Sequence, residues 1–152
     1  MDKTTIKHLL LDLDWNADPQ KQNAAIEQLI HIDSCYFPLL INWSKKSTWE
    51  NSVKVIIKIG YPRNKALIPQ LIAFLRDPNW PGSTDAIITL QNLPVKEIMS
   101  FWEDAIKTAY EQRDGMWLTG IHSILVDELS CTINDFSDED IFYKLKEGDS
   151  WY

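Results

Sequence analysis

The stretch 77-DPNWPG-82 sets a tryptophan between an Asp-Pro and a Pro-Gly. Asp, Pro and Gly are turn residues, each for its own stereochemical reason. Turn tips are ordinarily polar and exposed, so a Trp here calls for a packing partner. Both flanks are helical in pattern. Upstream, 62-PRNKALIPQLIAFLRD-77 places Leu67, Leu71, Phe74 and Leu75 on one helical face. Pro69 stands close to its start, which predicts a helix beginning near Lys65 or Ala66. Downstream, 83-STDAIITLQNL-93 is a short helix stopped at Pro94.

The same pattern runs through the rest of the chain. In 19-PQKQNAAIEQLIHI-32, Ala25, Ile26, Leu29 and Ile30 fall at helical spacing, with Asp18 as N-cap and Pro19 at the first helical position. In 47-STWENSVKVIIKIG-60, Ser47 and Glu50 have capping-box spacing, Val53, Ile56 and Ile57 form a stripe, and Gly60 ends the helix. Pro94 opens the longest run, 94-PVKEIMSFWEDAIKTAYEQR-113, with Ile98, Phe101 or Trp102, Ala105, Ile106 and Ala109 inward. Asp114-Gly115 breaks it. Then 116-MWLTGIHSILVDELS-130 offers Ile121, Ile124, Leu125 and Leu129. Last, 137-SDEDIFYKLKEG-148 offers Ile141, Phe142 and Leu145 behind Ser137 and Asp140 as a capping pair. The β-branched cluster 53-VKVIIKI-59 is the best strand candidate, but its flanking caps are helical.

Trp15, Trp49, Trp80 and Trp117 recur at spacings of 34, 31 and 37. After the last three, apolar pairs follow seven and eight positions on: Ile56-Ile57, Ile87-Ile88 and Ile124-Leu125. The unit after Trp15 needs about three extra residues to align with this pattern. A second helix is expected inside each interval, at 38-PLLINW-43, 69-PQLIAFL-75 and 98-IMSFWEDAI-106. Two helices per 30–40 residues is the signature of an α-solenoid, in which stacked pairs bury what one pair cannot. The expectation is therefore an all-α fold: a short right-handed α-solenoid of about four helix pairs with an extra N-terminal helix. Residues 1–152 would form one domain, with repeats near 15–46, 47–77, 78–113 and 114–148. The four tryptophans are read as structural, Trp80 starting a repeat and packing under the pair before it. An aromatic surface for a peptide or sugar is the alternative. Residues 149–152 are expected to fray, with Trp151 and Tyr152 able to dock.

These Trp-marked helical pairs resemble the HEAT/armadillo-like class. More narrowly, 67-LIPQLIAFLRDPNWPGSTDAIITL-90 resembles a family of small bacterial domains of unknown function in which a D-x-N-W-P turn recurs, and 116-MWLTGIHSIL-125 fits its downstream Trp helix. The resemblance covers roughly residues 60–130. It implies a binding scaffold without catalytic residues, and some similar small proteins belong to bacterial toxin-immunity sets. The long first unit and the acidic tail depart from the family pattern.

Composition limits the function classes. The chain has 45% apolar and 24% charged residues, as in an ordinary globular protein. No apolar run approaches the roughly 20 residues of a membrane span. The N-terminal patch 1-MDKTTIKHLLLDLDW-15 lacks the features of a signal peptide. A cytoplasmic location follows as the expectation, with Cys35 and Cys131 as free, buried thiols. The net charge is −7 and unevenly placed. Residues 1–60 carry seven basic and seven acidic side chains, residues 61–113 six of each, and residues 114–152 two basic and nine acidic. Such a surface repels nucleic acid. The mildly basic run from Lys54 to Lys65 is too scattered to make the cradle by which some HEAT-like DNA glycosylases hold DNA.

Chemistry is sparse. His31 and Cys35 stand four apart, but Asp33-Ser34 interrupts the helix between them and no second pair completes a metal site. The motifs HExxH, GxSxG and GxGxxG and the P-loop are absent. The adjacent carboxylates Glu103-Asp104, Asp127-Glu128 and Glu139-Asp140 point about 100° apart on a helix and do not make an acid–base pair. No catalytic residue, cofactor or metal is expected. The leading expectation is a non-enzymatic protein-binding scaffold, of immunity or inhibitor type, engaging a basic partner through Asp127, Glu128, Asp135, Asp138, Glu139 and Asp140. For Asp138 to Asp140 the simpler explanation is the dipole of the helix they begin. The alternative is a small enzyme or ligand binder with a pocket on the concave face. A third reading is self-association, as a weak homodimer, through Trp43, Trp102 or Phe142.

Overall fold

Asp18 and Pro19 begin a helix in the way their chemistry requires. The Asp18 carboxylate accepts from the Gln20 N–H at 2.8 Å, and Pro19 occupies the first turn, where its missing N–H leaves nothing unbonded. The same logic recurs along the chain. The computed structural model describes residues 1–151, and within them the regular structure is entirely helical. The chain divides into two compact units, Met1–Leu67 and a second beginning at Ile68. The division falls inside the expected repeat 47–77.

The first unit holds α1 (Lys3–Leu11), α2 (Pro19–Leu29) and α3 (Trp49–Ile59). Asp2 caps α1 through the Thr5 N–H at 2.8 Å, and α1 buries Ile6. Helix α2 buries Ala25, Ile26 and Leu29. Helix α3 buries Trp49, Asn51, Ser52, Val53, Val55 and Ile56, a wider face than the predicted stripe, and ends at Gly60 with φ +80°. Buried Asn51 donates to the Leu13 carbonyl at 2.8 Å and to Gln22 Oε1 at 2.9 Å, tying α3 to α2 and to the segment before it. Arg63 donates to the carbonyls of Ile30 and Ile32 at 2.6 and 2.7 Å.

Two expectations of local structure fail in this unit. Residues 38–43 are not a second α-helix: a 3-10 stretch, Ser34–Leu39, runs into irregular backbone. Pro38, inside that stretch, has no N–H for an α-helical bond. Ser47 does not cap α3 either. A 3-10 turn, Lys46–Thr48, precedes the helix, and the Ser47 hydroxyl instead donates to Asp14 at 2.8 Å.

The second unit holds α4 (Ile68–Ala73), α5 (Ser83–Gln91), α6 (Met99–Glu111), α7 (Gly115–His122) and α8 (Glu139–Asp149). The regular helix starts at Ile68, after a 3-10 turn at Lys65–Leu67, so Pro69 lies in the first turn of α4, where proline is tolerated. The predicted 94–113 helix is a 3-10 turn, Val95–Ile98, followed by α6. Helix α7 passes into a π-helical stretch, Ser123–Glu128. Asp138, not Ser137, caps α8, and Ser137 donates to buried Glu103 at 2.6 Å.

The turn at Asp77–Gly82 shows why it carries a tryptophan. Asp77 Oδ1 accepts from the Asn79 N–H at 2.8 Å, and Gly82 adopts φ +92°. Buried Ser83 donates to the carbonyls of Phe74 and Asp77 at 3.0 and 2.8 Å, folding the start of α5 back on the end of the preceding helical segment. The Trp80 ring meets Phe74 edge-on, with centroids 6.4 Å apart. Trp80 is thus half-buried against the preceding helical segment, in the turn rather than in the helix itself.

The other three marker tryptophans differ from it and from one another. Trp49 is buried, its Nε1 donating to the Asn42 carbonyl at 2.7 Å. Trp117 is buried, its Nε1 donating to the Ile72 carbonyl at 3.0 Å, with the Arg76 guanidinium 4.1 Å above the ring. Trp15 is 48% exposed and departs from the expected packing role. At the other end Trp151 is docked: its ring lies 5.2 Å from Tyr110 and 4.3 Å from the Arg113 guanidinium. Tyr152 lies outside the described residues.

Candidate functional site

The six acidic residues singled out in the sequence all belong to the second unit and all are exposed. Their chemistry divides them. Asp135 accepts from the Thr132 N–H at 2.7 Å, and Asp138 accepts from the Asp140 N–H at 2.9 Å, so both serve local capping. Asp140 pairs with Lys144 at 3.2 Å, one helical turn on. Asp127 Oδ2 stands 3.6 Å from His122 Nδ1, which Asp149 also approaches at 3.9 Å. Glu128 and Glu139 make no hydrogen bond or ion pair among the described residues. They are the two carboxylates of the set that remain wholly available to a partner.

The residues considered for chemistry are not brought together. Helix α2 ends before His31, and Cys35 belongs to the 3-10 stretch capped by Asp33. Cys35 is exposed rather than buried, because that stretch turns its sulfur-bearing first turn to solvent. Its thiol is held above its ordinary value, first by the hydrogen bond to the Asp33 carboxylate. Cys131 is buried, and desolvation raises its thiol too. No group of three or more His, Cys, Asp or Glu able to hold a metal occurs among the described residues. Of the aromatics considered for self-association, Trp102 is fully buried and cannot present a surface. Trp43 is 42% exposed, and Phe142 lies half-buried against Phe136.

Sequence reasoning missed a cleft of about 670 Å³ in the first unit. Helix α1 supplies Lys7, His8, Leu10 and Leu11, the end of the 3-10 stretch supplies Leu39, and the irregular segment after it supplies Leu40 and Ile41. Lys45 comes from the approach to α3, and Ser52 from the helix itself. That irregular segment is fixed from below. Trp49 bonds the Asn42 carbonyl, Thr48 donates to the Lys45 carbonyl at 2.8 Å, and Lys45 Nζ lies 3.4 Å from Asp14. The Asp14 carboxyl is in turn held below its ordinary value, first by the Asn16 N–H and then by the Ser47 hydroxyl. The only sequence signal was the apolar run Leu9-Leu10-Leu11, which covers more than one face of a helix.

The chain matches no family model, no curated protein and no solved structure. What it can bind or do therefore rests on its own residues. No helix among the described residues is long and apolar enough to cross a membrane.

Proposed function

We propose that the chain is a non-enzymatic, cytoplasmic protein-binding scaffold of HEAT-like character and of immunity or inhibitor type, which takes a basic protein partner on the acidic surface of its last quarter. It acts as a monomer or weak homodimer. The observation that carries this reading is the placement of charge. The nine acidic and two basic side chains after residue 113 account for the whole net charge of −7, while the rest of the chain is balanced. Lys144 is committed to Asp140 and Lys146 lies over the Phe142 ring at 5.6 Å, so neither cation neutralises Glu128 or Glu139. A surface of one sign speeds encounter with a partner of the other sign and selects against the wrong one.

The test is capture from host lysate at low and moderate salt, followed by measured affinity of the captured protein for wild type and for the triple variant Asp127→Lys, Glu128→Lys, Glu139→Lys. Asp135, Asp138 and Asp140 are left intact because their carboxylates serve local structure. The expected result is one basic protein, lost as salt rises, with affinity at least about tenfold weaker for the variant. Equal affinity and equal salt dependence for the two proteins would refute the acidic-surface reading.

A further inference from the structure

The cleft of the first unit lies outside the acidic surface and has the opposite character. Its walls are apolar, formed by Leu10, Leu11, Leu39 and Ile41, and its cations are Lys7 and Lys45. Lys7 is exposed and makes no ion pair among the described residues. The Lys45 side chain is 42% exposed, and its ammonium lies 3.4 Å from Asp14. A volume of about 670 Å³ lies within the roughly 300–1,000 Å³ of small-molecule sites. Ser52 also lines the cleft, is 1% exposed, and its hydroxyl has no hydrogen-bond partner among the described residues. A buried hydroxyl without a partner is costly and uncommon.

We infer that this cleft binds a small anionic amphiphile, a free monomeric carboxylate with an aliphatic tail. The tail lies along Leu10, Leu11, Leu39 and Ile41, and the carboxylate meets Lys7 and Lys45. Charge complementarity and apolar burial select this class. A neutral alkane leaves the ammonium groups unused, and a compact polar anion leaves the leucine walls wet.

The experiment titrates dodecanoate, below its micellar concentration, into the full chain and follows amide chemical shifts and calorimetric heat. The shifts are expected at Lys7–Leu11 and Leu39–Asn42. Methyl dodecanoate keeps the tail and removes the charge, and it should bind about tenfold more weakly. Lys7→Glu should weaken dodecanoate by a similar factor, and Leu11→Glu, at a side chain already exposed, should weaken both ligands together. Circular dichroism of both variants checks the fold. Shifts mapping elsewhere, equal affinity for acid and ester, or Lys7→Glu binding as wild type does would each overturn the inference. Binding to phosphatidylglycerol vesicles that excess dodecanoate fails to displace would also overturn it, in favour of a lipid surface.

Discussion

Trp15 and Trp117 are the same side chain in opposite settings, and their substitutions should differ accordingly. Trp117 is buried, bonds the Ile72 carbonyl and lies under Arg76. Truncating it removes a large buried surface and leaves a cavity, so Trp117→Ala should cost about 3–5 kcal/mol. Trp15 is 48% exposed, and Trp15→Ala should stay within about 0.5 kcal/mol of wild type. Urea unfolding of the two variants measures the contrast directly. The spacing of the tryptophans showed a pattern but could not tell these settings apart, because periodicity carries no record of which neighbours a ring meets. Acid response also belongs at this scale. Asp2, Asp14 and Asp33 are each held below their ordinary value of 3.8, chiefly by backbone N–H donors, from Thr5, Asn16 and Cys35 respectively. A carboxylate with a depressed folded value adds stability that is present above the unfolded value and lost as pH falls through the folded one. Stability should therefore be insensitive to these groups above about pH 5 and should fall below about pH 4. Asp14→Asn should flatten part of that fall, as read by urea midpoints across pH.

At the scale of elements, close approach is the feature to test. A Cβ built on Gly120 in α7 would stand 2.7 Å from the Leu75 carbonyl oxygen, a backbone atom that cannot turn aside. Gly120→Ala should thus destabilise by about 1–3 kcal/mol despite alanine's better helix propensity. An increase in the urea midpoint would show that α7 is free to shift away from Leu75. A Cβ on Gly148 would meet the Leu118 side chain, so α7 and α8 are matched through a second glycine. Much of this level was legible beforehand. Asp18 with Pro19, Gly60, and the stripes of Leu67, Leu71, Phe74 and Leu75 are local signals, and local chemistry decides them. Ser47 shows the limit: its spacing to Glu50 fits a cap, yet Asp14, thirty-three residues earlier, offers its hydroxyl a charged acceptor. The cleft was illegible for the same reason, since Lys7 and Lys45 line one cleft only when α1 and the approach to α3 are both in place.

At the scale of the whole molecule, charge is the property that sequence alone determined best, because it needs no geometry to count. The acidic excess lies in one quarter of the chain, and Glu128 and Glu139 are exposed there without a compensating cation. Like charges at a surface repel, and salt screens them over a distance that falls from about 30 Å at 0.01 M to about 8 Å at 0.15 M. Raising ionic strength between these limits should therefore raise the thermal midpoint of the isolated protein. A rise of about 2–4 °C corresponds to about 1 kcal/mol for a chain of this size. Glu128→Lys removes part of the repulsion and leaves the first turn of α8 intact, so its midpoint should start higher and respond less to salt. The ion pairs Lys58–Glu27 and Lys144–Asp140 work against this trend, but exposed pairs contribute only about 0–1 kcal/mol and salt weakens them. If the wild-type midpoint falls as salt is added, such pairs outweigh the repulsion. The acidic excess would then cost the fold too little to register in the midpoint.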